Sequence, residues 1–459
     1  MKKWIRVLLT AMLTVSLAAG CGAQAENNAE KQDSPQVQTG QDAQSPNVQS
    51  DGEKKEINIT WTNIKESQQQ VWQDYVIKPF QEKHPDVTVN FQGIPDLQNT
   101  IRVQIGAGAG PDMFYMDSID IPDFASTGHL LNIEPYREQY GMDDFMFDWA
   151  IDSTEYKGEM YALPHSVEAT AMTYNKTLLD QLGKEVPKTR QDFVDICDTA
   201  LSAGLIPISF GYSGENILLT WPYEHYITCY AGGEKTAQLL KGEIGFDDPD
   251  IKGAFALLKA DWDAGYINDK KSGAIKNDEA RTLFTNQKAV FNFEGPWLTL
   301  VDTPPGTWEF EWGQCAWPSM KDGMPAASAI TLGEVIGINA DTKYPDLCVE
   351  LMMDFYMNEE RCAQAVAAGF STPARSIDAS NYPEDMPEQI RKTLDVQDQN
   401  MNAESVGYAP WGFYPSKTAW FLNDNLDKVF YDQMDLDTFL IKAQECLEQD
   451  LADGYVFAG

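Results

Sequence analysis

Two glutamates, Glu168 and Glu294, are carboxylates that could act as general acid and base on a glycosidic bond. That chemistry needs a short, fixed separation between the two carboxyl groups, and nothing in the sequence sets this distance. Histidine and carboxylate also lie close together in sequence at His165 with Glu168 and at Glu224 with His225, but neither pair has a third convergent ligand. We therefore expect no metal site, and glycoside hydrolysis remains only an alternative.

The glycine-rich run at residues 106–110 has the composition of a phosphate-binding loop but not its position. A phosphate-binding glycine motif follows a strand and opens a helix, so that the N–H groups at the helix start meet the phosphate. Here the run follows a helical pattern, with Leu97, Ile101 and Ile105 at spacing four, and precedes the apolar segment 113–116. The glycines are therefore predicted to end a helix, and no cofactor is expected.

Strand and helix patterns alternate in the first half of the chain. Ile57, Ile59 and Trp61 alternate as a strand, a helical pattern follows at residues 71–80, and residues 87–91 form the next strand. Such alternation indicates parallel crossovers and an α/β fold. Without about 56 residues at the N-terminus, roughly 400 remain, which suits two lobes rather than one core.

The composition limits the partners of this chain. A formal net charge of −36 excludes general electrostatic binding to nucleic acid or to an anionic membrane surface, because such binding needs clustered Lys and Arg. The cysteines beyond residue 21 lie far apart without a CxxC pair, so they lack the spacing of a zinc or redox motif. We expect buried free thiols, although export would also permit disulfides.

The N-terminus has the pattern of an exported, lipid-anchored protein. Lys2, Lys3 and Arg6 precede an apolar run at residues 7–19 that is too short to span a bilayer. The run ends in Leu17-Ala18-Ala19-Gly20-Cys21, which resembles the lipobox of bacterial lipoproteins. This resemblance implies a signal peptide at 1–20, a diacylated Cys21, and anchoring at the extracytoplasmic face of the cell membrane. Residues 21–56 are polar and are predicted to form a disordered tether.

Several local motifs occur in one order along the rest of the chain. As a set they resemble the extracellular solute-binding proteins of carbohydrate ABC importers, and in particular the maltodextrin-binding members of that family. The motifs are the strand at 57–63, Gly110-Pro111-Asp112, residues 158–164, Val167-Glu168-Ala169, Tyr174-Asn175-Lys176, Thr220-Trp221-Pro222, Gly295-Pro296-Trp297 and residues 337–340.

The resemblance implies a two-lobed periplasmic-binding-protein-like (type II) α/β fold that closes on its ligand about three crossings between the lobes. The crossings are expected near 167–170, near 331–334, and between 377 and 402. The N-terminal lobe would comprise residues 57–167 plus 334–385, and the C-terminal lobe would comprise residues 170–330 plus 400–459.

The same resemblance implies the residues that hold the ligand. A sugar offers apolar C–H faces and a belt of hydroxyls, so its site needs flat aromatic rings together with carboxylates or amides. Trp297 and the pair Trp420-Phe421 match stacking aromatics, Glu168 matches a carboxylate at the first crossing, and Trp411 is expected as a loop aromatic at the cleft rim. The further polar candidates are Asn63, Lys65 and Glu66 after the first strand, Asp117, and Glu294.

The sequence also departs from the maltodextrin-binding pattern. Met116 and Leu218 replace a stacking Trp and a Tyr, Asn216 replaces a Glu, and Asp424 replaces an Arg. Maltodextrin specificity is therefore not supported, although the importer class is. We expect a monomer that binds a carbohydrate and delivers it to an ABC permease, without a catalytic step. A non-sugar solute, such as a polyamine or a metal chelate, is the alternative on the same fold.

Overall fold

A computed structural model describes residues 54–62, 64–95, 97–214 and 218–459. Residues Gly52–Gly459 form one compact unit. The predicted signal peptide, Cys21, most of the tether, Asn63 and Asn216 lie outside the described residues. No helix in the described ranges combines the length and the apolar character that crossing a membrane requires.

The strands of the described residues form two larger sheets and one small hairpin. They are β1 (Lys55–Thr62), β2 (Val87–Ile94), β3 (Met113–Met116), β4 (Glu155–Tyr156), β5 (Glu159–Met160), β6 (Ala162–Ala169), β7 (Met172–Asn175), β8 (Ile206–Ser209), β9 (Ala289–Asn292), β10 (Trp312–Cys315), β11 (Ser328–Ile338) and β12 (Val406–Tyr408).

Helices cover the sheets and connect their strands. They are α1 (Glu66–Trp72), α2 (Lys78–Lys83), α3 (Leu97–Gly106), α4 (Ile121–Ser126), α5 (Glu134–Tyr140), α6 (Asp148–Asp152), α7 (Lys176–Leu182), α8 (Arg190–Ser202), α9 (Thr220–Tyr230), α10 (Gly233–Leu240), α11 (Pro249–Ala264), α12 (Asn277–Thr285), α13 (Trp297–Leu300), α14 (Pro345–Tyr356), α15 (Glu359–Ala367), α16 (Glu388–Met401), α17 (Pro410–Phe413), α18 (Ser416–Phe430) and α19 (Leu436–Ala452). A π-helical turn, Gln73–Ile77, joins α1 to α2, and short 3₁₀ turns include Ser118–Asp120 directly after β3.

The two sheets define two lobes. The first lobe carries the six-stranded sheet, in which β1 lies parallel to β2 and β3, while β11 lies antiparallel to β3 and β6. The second lobe carries the sheet β10-β7-β9-β8, in which β8 and β9 are parallel. The predicted parallel crossovers between β1, β2 and β3 are confirmed.

Each lobe has its own apolar core, and two strands pass from one core to the other. Val167 packs in the first lobe and Met172 in the second. In the opposite direction, Ala329 packs in the second lobe and Leu332 in the first. These changes of core lie at or next to the crossings expected near 167–170 and 331–334. The third crossing and the exact lobe boundaries stay predictions.

Local sequence signals account for several helix ends in the structure. The Gly run ends α3 at Gly106 and precedes β3, as expected for a helix terminus rather than a phosphate loop. Thr189 caps α8 through a reciprocal capping box with Asp192, and the Asp248 side chain accepts from the first turn of α11. These caps satisfy N–H groups that the helices leave unpaired.

The six cysteines after Cys21 are free thiols in the structure. The expectation of burial is correct for four of them and wrong for Cys315 and Cys446, which are partly exposed. Cys315 ends β10, an edge strand of the second sheet, and Cys446 lies on α19. Both positions leave one side of the residue outside the core.

Candidate functional site

Two paired strands carry the carboxylates of the candidate site. Thr331 on β11 lies opposite Glu168 on β6, and the pairing becomes irregular between Leu332 and Glu334. A Cβ atom added at Gly333 would lie 2.8 Å from the Glu168 carboxyl carbon and 2.8 Å from Ser166 Oγ. Glycine at this bulge therefore makes room for the Glu168 carboxyl group to lie over the neighbouring strand.

Glu334 belongs to the same pair of strands, and neutral donors surround it. Ser371 and Ser166 donate hydrogen bonds to its carboxylate at 3.0 Å and 3.2 Å. Burial raises the pKa of Glu334 to about 7, although these serine hydrogen bonds oppose the shift. Nε2 of His165 lies 3.6 Å away, but burial lowers the pKa of this imidazole to about 3, so it carries no charge at neutral pH.

Glu168 lies among further acidic groups. Burial raises its pKa well above the usual range, and the charges of Glu334, Glu224, Asp302 and Asp117 raise it further. Within the described part of the chain, no side chain forms a hydrogen bond or ion pair with the Glu168 carboxyl group. This group is therefore available as an acceptor or donor for a bound ligand.

Asp117, the predicted hydroxyl acceptor, directly follows β3 and is buried. The hydroxyl of Tyr115 donates to Asp117 at 2.8 Å. Burial, followed by the Asp117 charge, raises the pKa of Tyr115 well above its usual value. The tyrosine therefore stays protonated and holds the carboxylate in place.

Three tryptophans of the second lobe form an aromatic cluster. The ring centroids of Trp221 and Trp297 lie 5.2 Å apart, and Trp411 lies 6.4 Å from Trp221 and 6.3 Å from Trp297. Ser118, which follows β3 of the first lobe, donates to the Trp411 carbonyl at 3.0 Å. The tryptophan cluster therefore lies where the two lobes meet.

The structure corrects the expected position of Trp411. This residue lies in the short helix α17 rather than in a loop, and only 6% of its surface is exposed. Packing against the other two tryptophans and the bond from Ser118 account for its burial. Trp297 is the most exposed of the three tryptophans in the cluster.

Glu294 is a buried ion-pair partner rather than an open carboxylate. Only 1% of its surface is exposed, and the guanidinium of Arg281 donates to both of its oxygens at 2.7 Å. The indole N–H of Trp297 donates to the same carboxylate at 3.1 Å. The expectation that Glu294 contacts ligand hydroxyls is therefore at odds with its position, because its acceptor sites are already occupied.

Lys65 and Glu66 follow the first strand, but Lys65 is the N-cap of α1 and Glu66 its first residue, so Glu66 lies in a helix rather than in the expected loop. The Lys65 ammonium donates to the Asp302 carbonyl at 2.7 Å and lies 3.5 Å from the Asp302 carboxylate. Glu66 is exposed in the first turn of the helix. The structure therefore places Lys65 against the second lobe.

Trp420 and Phe421 lie on α18 and are partly buried against the core of the second lobe. Phe421 packs against Phe439 of α19 at a centroid distance of 5.5 Å, so it contributes to the packing of these two helices. Among the described residues, no ring contact joins Trp420 to the tryptophan cluster. The predicted platform is thus separate from that cluster.

Comparison with known proteins identifies the family. A family model described as bacterial extracellular solute-binding protein matches residues 65–360, which is more than half of the chain. The chain belongs to this family.

Relatives of this solute-binding protein include two oligosaccharide-binding proteins. It is 28% identical to the maltotriose-binding protein of Pyrococcus abyssi over 251 residues, which are 52% of this chain and 49% of that protein. It is 26% identical to the galactooligosaccharide-binding protein of Bacillus subtilis over 325 residues, which cover 67% and 72% of the two chains. The match to the first relative thus spans about half of its length.

Solved structures share the two-lobed fold of this solute-binding protein. A chitin oligosaccharide binding protein superposes with a TM-score of 0.74 at 19% identity, covering 87% of this chain and 100% of the other. A substrate-binding protein from Listeria monocytogenes in complex with cycloalternan superposes with a TM-score of 0.65 at 18% identity, covering 87% and 99%. At these identities the likeness establishes the fold alone.

Sequence reasoning missed several residues of the candidate site. Glu334, Asp302 and Arg281 contact or surround predicted residues but were not predicted themselves. Trp61 and Trp72 form a second aromatic group beside His165, with centroids 4.8 Å apart. A charged residue within an otherwise apolar strand was the available signal for Glu334, because such a residue needs buried partners.

Proposed function

We propose that this chain is the substrate-binding subunit of an ABC importer that captures a sugar, an oligosaccharide in particular, by closure of its lobes. The proposal rests on the tryptophan cluster, which lies where the two lobes meet. The carboxyl groups of Glu168 and Glu334, on the paired strands β6 and β11, add hydrogen-bonding groups. Aromatic faces suit the apolar C–H faces of a sugar, and carboxyl groups suit its hydroxyls. The oligosaccharide-binding names of the relatives support this ligand class.

The proposal includes how the protein is held and what receives its ligand. Cys21 would carry two acyl chains, and residues 21–56 would tether the lobes to the extracytoplasmic face of the cell membrane. The closed, liganded monomer would then dock on the permease subunits and release the sugar to them. Binding energy must favour the closed state, because a ligand shifts an equilibrium only through a difference in affinity for the two states.

A non-sugar, cationic solute is the second candidate, and one observation favours it. Glu168 is surrounded by the acidic groups Glu334, Glu224, Asp302 and Asp117, whose charges act on it. A polyamine would relieve their mutual repulsion. Glycoside hydrolysis is the weaker alternative, since Glu294 is held by Arg281 and Trp297 and could act on a substrate only after that network opened.

A thermal-shift screen of the fragment Gly52–Gly459 tests these candidates directly. The panel contains mono- and oligosaccharides, including maltotriose, galactooligosaccharides and chitin oligosaccharides, together with spermidine and putrescine. A ligand that binds only the folded state raises the unfolding temperature by mass action. Stabilisation by one sugar series is the expected result. Stabilisation by polyamines alone would contradict the sugar proposal.

A further inference from the structure

A series of polar contacts connects the two lobes and ends at Trp297, the partly buried tryptophan of the cluster. It begins at Lys65, which follows β1 of the first lobe and contacts Asp302 through both the carbonyl and the carboxylate. Asp302 follows β9 and α13 of the second lobe, and its other carboxylate oxygen lies 2.7 Å from Arg281. Thus Lys65 and Arg281 share one carboxylate from opposite sides.

The series of polar contacts continues from Arg281 to Trp297. Arg281 binds Glu294 through Nε and through Nη2, the latter at 2.5 Å, and Glu294 accepts the indole N–H of Trp297. The Trp297 ring folds back over its own turn, since a Cβ atom added at Gly295 would lie 2.2 Å from a ring carbon. The orientation of this ring therefore depends on the Glu294 carboxylate and on the space left by Gly295.

The balance of charges explains why the loss of Lys65 should affect the orientation of Trp297. In this structure, Lys65 and Arg281 face the carboxylates of Asp302 and Glu294, and Arg281 also lies 3.5 Å from the exposed carboxylate of Asp278. Lys65 belongs to the other lobe, so opening of the lobes removes it and leaves Arg281 with both carboxylates. With Lys65 in place, the side chain of Asp302 is 19% exposed and that of Glu294 is 1% exposed, so the loss of Lys65 removes a cation from a largely buried network.

We propose that Asp302 and Arg281 are positioning residues that couple closure of the lobes to the orientation of Trp297. They act through Lys65 on one side and Glu294 on the other, without contact to the ligand. This role goes beyond sugar capture and does not depend on the identity of the solute. It requires only that the two lobes move relative to each other, as hinged lobes do.

The coupling is tested by NMR of the indole N–H groups in ligand-free protein labelled with ¹⁵N-tryptophan. Trp297→Phe identifies the Trp297 cross-peak. We expect Lys65→Met and Asp302→Asn each to move this peak, and the double variant to add little to either shift. Lys55→Met is the matched control, because Lys55 pairs with Asp86 within the first lobe at similar exposure and should leave the peak in place.

Two conservative variants separate the charge from the geometry. Lys65→Arg keeps the cation and should retain the Trp297 peak position of the unsubstituted protein. Arg281→Lys keeps the charge but loses the planar fork that reaches two carboxylates, so this substitution should move the peak. A Trp297 peak that is unchanged by Lys65→Met and by Asp302→Asn would overturn the coupling.

Closure itself is measured by small-angle X-ray scattering of the same ligand-free variants. An ion pair of this exposure changes an equilibrium constant by up to about fivefold, so Lys65→Met should lower the closed-to-open ratio by about two- to fivefold. High salt should reproduce the effect in the unsubstituted protein. An unchanged radius of gyration in Lys65→Met would reject Lys65 as a closing contact. Because no sugar is added, this failure is distinct from failure of the sugar proposal.

Discussion

The indole N–H of Trp297 donates to the carboxylate of Glu294, three residues earlier in the chain, at a distance of 3.1 Å. Glu294 is itself held by Arg281 through both of its oxygens. A tryptophan whose edge is bonded in this way loses little freedom when a ligand stacks on it. Such preorganisation lowers the entropic cost of binding.

Removal of the stacking rings should weaken ligand binding. We expect Trp297→Ala and Trp420→Ala each to raise the Kd of the sugar found by the thermal-shift screen by about tenfold or more, because a buried aromatic anchor is lost. Isothermal titration calorimetry measures the effect, and circular dichroism checks the fold. Trp308→Ala is the control, since Trp308 packs in a separate cluster with Phe310. Affinities unchanged in both variants would show that the predicted platforms do not touch the ligand.

Glu168 should act as a hydrogen-bond acceptor for the ligand. Glu168→Gln keeps the shape of the side chain but replaces one carboxyl oxygen by an NH₂ donor, so a hydrogen-bond acceptor for the ligand is lost and we expect the Kd to rise by about tenfold. Glu82→Gln, at an exposed position of α2, should leave the affinity unchanged. The same samples are assayed for sugar release from oligosaccharides. Turnover that depends on Glu168 would instead favour the hydrolase alternative.

Gly295 should be required for the position of the Trp297 ring. Its substitution by alanine places a methyl group where the ring now lies, 2.2 Å from a ring carbon, and the indole must therefore shift. We expect a loss of about 1–3 kcal/mol in the free energy of unfolding, together with weaker ligand binding. Gly306→Ala serves as a comparison for crowding, because nothing lies within 4 Å of an added Cβ there, although its φ of +79° adds strain. Equal ligand affinity in Gly295→Ala and the unsubstituted protein would contradict this role.

The raised pKa of Glu334 predicts a direction for the pH dependence of stability. Its pKa is about 7 in the folded protein, whereas a glutamate ordinarily has a pKa of 4.5, so the folded state binds more protons between these two pH values. The contribution of this group to stability is therefore greatest below about pH 4.5 and falls by about 3 kcal/mol as the pH rises through 7. Urea unfolding at pH 5 and pH 7.5 measures the change. Glu334→Gln should reduce the difference between the two pH values, and an unaltered difference would exclude Glu334 as its source.

Lipid attachment should depend on Cys21. We expect Cys21→Ser to move the protein from the membrane fraction to the soluble fraction of cells that express the full chain, because the thiol that accepts the lipid is lost. Fractionation followed by immunoblotting measures this distribution. Cys446→Ser, which changes a partly exposed thiol of α19, is the control and should remain with the membrane. Membrane association that survives Cys21→Ser would refute the lipoprotein proposal.

Local signals determined most of the elements but not where each strand ends. Asp248 and Thr189 mark helix starts by their type and by the residues that follow them, and both cap helices in the structure. The apolar run at 335–338 belongs to a strand that begins earlier, at Ser328, and pairs with strands of both chain halves. The spacing of apolar residues along a short segment indicates which side chains are buried. The length of a strand, however, depends on which strand lies beside it.

The sequence by itself determined the α/β class, the two-lobed family, the N-terminal export pattern, and Trp297 and Glu168 as candidates. Only the tertiary structure decided that Lys65 meets Asp302, a residue 237 positions later, and that Glu294 is closed off by Arg281. Helix caps and glycine turns involve residues a few positions apart, so they can be predicted from the local sequence. Ion pairs between lobes depend on how distant strands are packed, and no local pattern encodes that distance.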